Sequence, residues 1–365
     1  MNNTNEFNIK IKILGVGGGG CNMIEHLREK YLQDFSAEYI DLIAINTDIQ
    51  VLNNSQSKTI AIGKNLTKGL GAGMRPEIGR DAALENYEEI VEELEGADMV
   101  FIASGMGGGT GTGAAPIVAQ AAKEVGALTI SIVTKPFNFE GSKRKKYAIE
   151  GIKELEKFTD SLIVIENEKL KKVEANNLSF KGAFKMVDNV LARAVQGIIG
   201  IILDSGKNDI NVDFADLKTI LSYSGHSVMS MGVGYGENAA LEAIEKALNN
   251  QLLSHSDISG SKGILVYFAA NSNYSLDKLY EAMEIIQNKS DEEADVIFGT
   301  SSDDELDENQ VAVTLIATGF KTANNTDTNY LNKLNDINQD NDIIASIEEN
   351  PDEDATPVLR LKINN

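Results

Sequence analysis

Residues 106–113 read MGGGTGTG, with five glycines and two threonines in eight positions. Glycine at that density weakens any helix or strand, so the backbone itself must do the work here. With no Cβ in the way, N–H groups can approach an oxyanion. At the first turn of a helix several of them point the same way, and the helix dipole favours negative charge. The threonines add hydroxyl donors with little bulk, and the stretch reads as a phosphate cradle. A tight turn that needs positive φ takes only one or two glycines. A second run, GVGGGGCN at 15–22, satisfies G-x-G-x-x-G through Gly15, Gly17 and Gly20, a weak signal by itself. A third loop, KGLGAGMRP at 68–76, supplies more glycine. Three such loops fit a nucleoside triphosphate better than a dinucleotide. A dinucleotide site wants an acid closing the second strand, and Asp48 is a candidate for it although it lies past that strand's end. No G-x-x-x-x-G-K-[ST] occurs, which excludes a P-loop enzyme.

The elements that must hold these loops alternate along the first half. Strands are expected at 9–16, 39–47, 58–63, 97–104, 127–134 and 160–167, and helices at 22–32, 80–94, 114–125 and 141–157. That alternation predicts an α/β fold, a parallel sheet with helices on both faces, whose ligands sit outside the carboxyl ends of the strands. A long helical pattern covers about 182–203. After it come helices at 214–223, 238–250 and 275–288 and strands GILVYFAA, DVIFGTS and QVAVTLIATGF. These predict a smaller α+β domain ending near residue 320. Residues 321–350 hold eight Asn, six acids and no Gly or Pro, the composition of a disordered linker with a weak helix near 342–349. The last segment, TPVLRLKI, is apolar and basic, as expected of a peptide that docks on a partner.

Length and charge bound the rest. A chain of 365 residues with 42% hydrophobic residues suggests about two domains. Its net charge of -22 argues against nucleic acid, and the short basic run KRKK at 143–146 does not reverse that. One cysteine excludes an intrachain disulfide and suits the cytoplasm. The polar start MNNTNEFNIK lacks the apolar core of a signal peptide. Residues 99–122 are long and uncharged, but their glycines and proline read as strand, loop and helix rather than a membrane span.

The segments GVGGGGCN, TKGLGAGMRPEIGR, ADMVFIASGMGGGTGTGAAP, VTKPFNFEG and NVDFADL, in this order over 9–320, resemble the tubulin/FtsZ family of cell-division GTPases. The resemblance implies a Rossmann-like GTP-binding domain at 9–181 after a disordered 1–8, a central helix at 182–205 and a GTPase-activating domain at 206–320. The linker at 321–350 and a partner-binding peptide at 351–365 would follow. It implies that Gly17, Gly18, Gly19, Gly20, Cys21 and Asn22 surround the phosphates, together with Ala72, Gly73, Gly107, Gly108, Gly109, Thr110, Gly111, Thr112 and Gly113. Asn46 joins the nucleotide-binding set, Glu140 and Arg144 contact the ribose and nearby groups, Phe184 stacks on the base and Asp188 reads it. A carboxylate accepts two hydrogen bonds from the ring N–H and amine of guanine, and adenine lacks that ring donor. GTP or GDP and magnesium are the implied cofactors. The implied partners are further copies of the chain, in head-to-tail filaments at the midcell division ring, and membrane-tethering and regulatory division proteins. The latter would meet the tail through Pro357, Leu359 and Arg360. Neither nucleic acid nor direct membrane insertion is expected.

Asn211, Asp213 and Asp216 sit before and within a helix start, where an Asp is ordinarily a cap. If Phe184 and Asp188 touch the base, some 20 residues of helix at about 1.5 Å each separate these acids from their own nucleotide. They are expected to complete the site of the next subunit, with magnesium neutralising the phosphates. The loop departs from the family: Asn208 stands where a glycine is usual, and the loop reads about two residues longer than in many relatives. The terminal peptide matches only loosely. Two rivals remain, an NAD-dependent dehydrogenase and a GTP-binding filament protein or division paralogue that does not hydrolyse. The first needs a catalytic acid–base, and His26, His226 and His255 are scattered.

Overall fold

The computed structural model describes residues 9–30, 39–173, 179–203, 210, 212–223, 225–249, 258–302 and 306–320, with the backbone alone for 171–173, 180 and 203. Asn211, Asn208, the 1–8 segment, the 321–350 linker and the 351–365 peptide with Pro357, Leu359 and Arg360 lie outside the described residues.

Apolar runs set the strands and glycine-rich turns launch the helices. The order is β1 (Ile11–Val16), α1 (Gly17–Lys30), β2 (Ile40–Asn46), α2 (Ile49–Asn53), β3 (Lys58–Ala61), α3 (Lys64–Thr67), α4 (Pro76–Glu85), α5 (Tyr87–Leu94), β4 (Met99–Gly105) and α6 (Thr110–Glu124). Then come β5 (Leu128–Lys135), α7 (Ser142–Leu155), β6 (Ser161–Glu166), α8 (Asn167–Val173) and α9 (Phe180–Leu203). The second lobe holds α10 (Phe214–Leu221), β7 (His226–Tyr235), α11 (Ala239–Leu248), β8 (Gly263–Ala270), α12 (Leu276–Lys289), β9 (Asp295–Ser302) and β10 (Gln310–Phe320).

The ten strands among the described residues form one sheet in the order β3-β2-β1-β4-β5-β6-β7-β10-β8-β9. Strands β1 to β6 pair in parallel. β7 joins β6 through two residue pairs, Leu162 with His226 and Ile163 with Ser227, and a hydroxyl bond of 2.9 Å links Ser161 to Ser227. β10 runs antiparallel to both of its neighbours. The expected α/β half and smaller α+β half are therefore continuous through this seam.

Helices cover both faces of the first half. Ile24 and Leu27 of α1 pack with Leu191, Val195 and Ile198 of α9 on one face. Ala82, Ala115, Val118 and Ala148 of α4, α6 and α7 pack on the other. The α9 core also takes in Leu217 and Ile220 of α10 and Leu265 and Ile316 of the second lobe, so this helix fastens the two lobes.

Three expectations need correction. The helices expected from 22 and 114 begin at Gly17 and Thr110, because the glycine runs are themselves first turns. The single helix expected at 80–94 is two, broken at Asn86. HSVMSMGVGYG, for which no element is expected from sequence, holds strand β7, and its glycines admit α11. A Cβ on Gly232 would lie 1.9 Å from the Ala243 carbonyl oxygen.

Candidate functional site

The crevice lies at the carboxyl ends of β1, β2 and β4, where α1 and α6 begin. Gly17 has φ +73, and a Cβ there would lie 2.7 Å from the Gly111 nitrogen, so the two cradle loops touch backbone to backbone. Gly20 packs against the Ala103 carbonyl, Gly111 against Ser104, and Gly109 against Ala72 of the third loop. Gly18 and Gly108 differ, for a Cβ on either meets nothing within 4 Å. Close packing thus explains most of these glycines, and these two border open space. Thr112 Oγ1 accepts the Gly107 N–H at 2.8 Å and fixes the loop ahead of α6. Thr110 and Thr47 share a hydroxyl bond of 2.7 Å.

Several expected residues form the floor of the crevice. Cys21 is buried, its Sγ donating to the Gly15 carbonyl at 3.5 Å, and burial pushes its thiol up to about 12. Only its backbone faces the loop chemistry. Asn46 is buried and donates to Cys21 Sγ at 3.7 Å, and its Oδ1 accepts from the Asp48 nitrogen at 3.2 Å. Asp48 caps α2 through the Gln50 N–H at 2.9 Å, which accounts for that acid without a ribose. Asn22 is exposed in the first turns of α1. Gly73 sits in the third loop at φ +58, which hangs from β2 by the Gly71 N–H to the Thr47 carbonyl at 3.1 Å.

On the opposite rim, Glu140 and Arg144 form an ion pair of 2.6 Å, and Glu140 also accepts the Phe137 N–H at 2.9 Å. The Arg144 backbone borders Gly107. Phe184 stands edge-on to Phe137 at 5.6 Å and to Phe139 at 6.5 Å. Phe139 is 53% exposed, leaving an aromatic wall open on one side. One turn along α9, burial pushes the Asp188 carboxyl up to about 6.

Sequence reasoning missed two residues here. Thr47 is buried beside Thr110, and its signal was the NTD closing β2. Asn167 begins α8 at the end of β6, is 4% exposed, and its Oδ1 has no hydrogen-bond partner among the described residues. A buried amide oxygen without a donor is costly and suits a ligand N–H. Its place at a strand's carboxyl end was the available signal.

Asp213 and Asp216 lie elsewhere. Asp213 caps α10, its Oδ1 accepting the Asp216 N–H at 2.8 Å, and both acids are exposed. Ile210 is tied to Thr300 by two bonds, 2.9 and 3.0 Å. From Asp188 to Leu203, α9 runs 15 residues, about 22 Å along its axis, so Asp213 and Asp216 follow the end of this helix opposite to Phe184 and Asp188.

Residues 10–175 match the GTPase domain of the Tubulin/FtsZ family, and residues 225–321 match the C-terminal domain of the FtsZ family. A cell division protein FtsZ from Buchnera aphidicola is 47% identical over 325 residues, 89% of this chain and 83% of that one. The chain belongs to the FtsZ family. It is a tubulin-like GTPase of cell division. An FtsZ dimer from M. jannaschii superposes with a TM-score of 0.79 at 42% identity, covering 86% of this chain and 89% of that one. CetZ2 from Haloferax volcanii shares the fold, with a TM-score of 0.76 at 19% identity and coverage of 91% and 99%. FtsZ-family membership replaces the dehydrogenase reading, and His26 and His226 are engaged with Asn189 and Glu156. No described helix is long and apolar enough to cross a membrane.

Proposed function

We propose that GTP binds in the crevice between α1, α6 and α9, and that its hydrolysis needs a second copy of the chain. The carrying observation is the separation along α9: Phe184 and Asp188 flank the crevice, while Asp213 and Asp216 lie beyond the helix's other end.

Within one copy, the N–H groups of Gly17 to Asn22 and of Gly107 to Gly113 receive the phosphates, with Ala72 and Gly73 closing the third side. Open space at Gly18 and Gly108 supports this. Phe184 stacks on the base. Asp188, ionised on binding, accepts the guanine ring N–H and amine, and the orphan Asn167 oxygen offers a further acceptor. Glu140 and Arg144 exchange part of their ion pair for the ribose. Magnesium would be carried by the phosphate oxygens and supply charge neutralisation.

The next copy brings Asn211, Asp213 and Asp216 to the γ-phosphate. The carboxylates of Asp213 and Asp216 orient and polarise the attacking water, a task of positioning and charge. Such a contact joins unlike faces and grows into an open filament. The dimeric relative at 42% identity supports self-association. Loss of the γ-phosphate weakens the contact. On this reading the filaments form the midcell ring, and the 351–365 peptide, through Pro357, Leu359 and Arg360, meets membrane-tethering and regulatory proteins. The units are 9–181, 182–205 and 206–320.

The variant Asp213→Ala tests it. Nucleotide affinity and GTP-dependent light scattering should persist, with turnover down at least about a hundredfold. Ordinary turnover in that variant would remove the acid from the chemistry.

A further inference from the structure

We propose that the basic run at the start of α7 is one half of a charge-matched contact with the next copy of this chain, whose acidic turn around Asp307 and Glu308 is the other half. The inference rests on the head-to-tail reading above.

Helix α7 begins at Ser142 and carries Lys143, Arg144, Lys145 and Lys146 in or beside its first turn, with no acid there. The N-terminal end of a helix dipole is positive, so this arrangement opposes it. A local rule broken at four successive positions, in a chain of net charge -22, marks a functional demand. Arg144 is accounted for by Glu140. Lys143 lies 5.6 Å from the Tyr147 ring, and neither Lys143 nor Lys146 forms a salt bridge among the described residues. The run borders the phosphate loop, since a Cβ on Gly107 would lie 2.8 Å from the Arg144 carbonyl oxygen.

The second lobe has the opposite character. Residues 212–320 carry 14 acids against five lysines at described positions. Asp307 and Glu308 are exposed in the turn between β9 and β10. That turn follows Thr300, whose bonds to Ile210 hold the segment leading into Asp213. The acidic turn therefore follows, a few residues along the chain, the strand that holds the approach to Asp213, as the basic run lies beside the phosphate loop. A contact that carries Asp213 to a neighbour's γ-phosphate brings the two together. Opposite charges at an interface rim speed encounter, fix register and are screened by salt.

The test uses the full chain with GTP and magnesium. Lys143→Glu with Lys146→Glu should raise the critical concentration for assembly about tenfold at low salt, and the contrast should shrink at high salt. Asp307→Lys with Glu308→Lys should do the same, and the four changes in one chain should restore assembly to within about threefold of wild type. GTP affinity, read on dilute protein with a fluorescent GTP analogue, should stay within about threefold throughout, which also reports that the variants are folded. Failure of the fourfold variant to recover overturns the contact, as does unchanged assembly in the double variants. A loss of GTP affinity in step with assembly assigns the run to the nucleotide and overturns it too. If wild-type protein itself does not assemble with GTP, the head-to-tail reading falls instead.

Discussion

Neighbouring glycines in one loop have different jobs. Gly113 lies under α4, where a Cβ would come 1.9 Å from the Pro76 carbonyl oxygen. Gly113→Ala should therefore destabilise the fold by about 1–3 kcal/mol in denaturant titration. Gly108 has open space and no positive φ. Gly108→Ala should leave stability nearly unchanged and weaken GTP by about tenfold or more, because its methyl enters the phosphate space. Equal losses of stability in both variants would contradict this division. Asp188 gives a pH signature. Burial raises its carboxyl from 3.8 to about 6, so the free protein protonates it below about pH 6, whereas the proposed pairing with guanine needs it ionised. Affinity for GTP should fall about tenfold per pH unit below pH 6 and level off above it. Stability of the nucleotide-free protein has the opposite sign. The contribution from Asp188 is full below about 4 and is lost as pH rises through about 6. A pH-independent Kd between 5 and 8 would remove Asp188 from base recognition.

At the scale of elements, helices α1 and α6 are placed by what grips their ends. Glu25 of α1 accepts from Ser55 and Ser57 and pairs with Arg28, so it pins the turn after α2 to the helix that opens at Gly17. Burial raises its pKa, but the hydrogen bonds outweigh burial and hold it below the ordinary 4.5. Its stabilisation is present above that value and lost as pH falls through the lowered pKa. Glu25→Gln should cost about 1–2 kcal/mol at neutral pH and progressively less in acid, as pH falls through the lowered pKa. A cost that does not change with pH would mean that its charge is irrelevant. The sequence made strands such as GILVYFAA and QVAVTLIATGF legible to the residue, because unbroken apolar runs bounded by polar turns leave one solution. Helix starts were harder. Glycine reads as a breaker in isolation, and only the meeting of Gly17 with Gly111 shows why the chain coils there. β7 was obscured in the same way, since Gly232 and Gly234 answer to α11. Asn167 and Thr47 carried only their places at strand ends as a signal, and their importance lies in burial and partners that sequence does not display.

For the whole molecule, one sheet carries two lobes, and α9 packs into both. That spacing separates the crevice from Asp213 within a copy, and on the proposed reading the two ends meet between copies. The most direct measurement is phosphate release from GTP with magnesium over a wide range of protein concentration, with light scattering read in parallel. Specific activity should be near zero in dilute protein and rise where scattering appears. Activity per molecule that stays constant down to the lowest concentration would show that one copy suffices, and Asp213 and Asp216 would lose the role assigned to them.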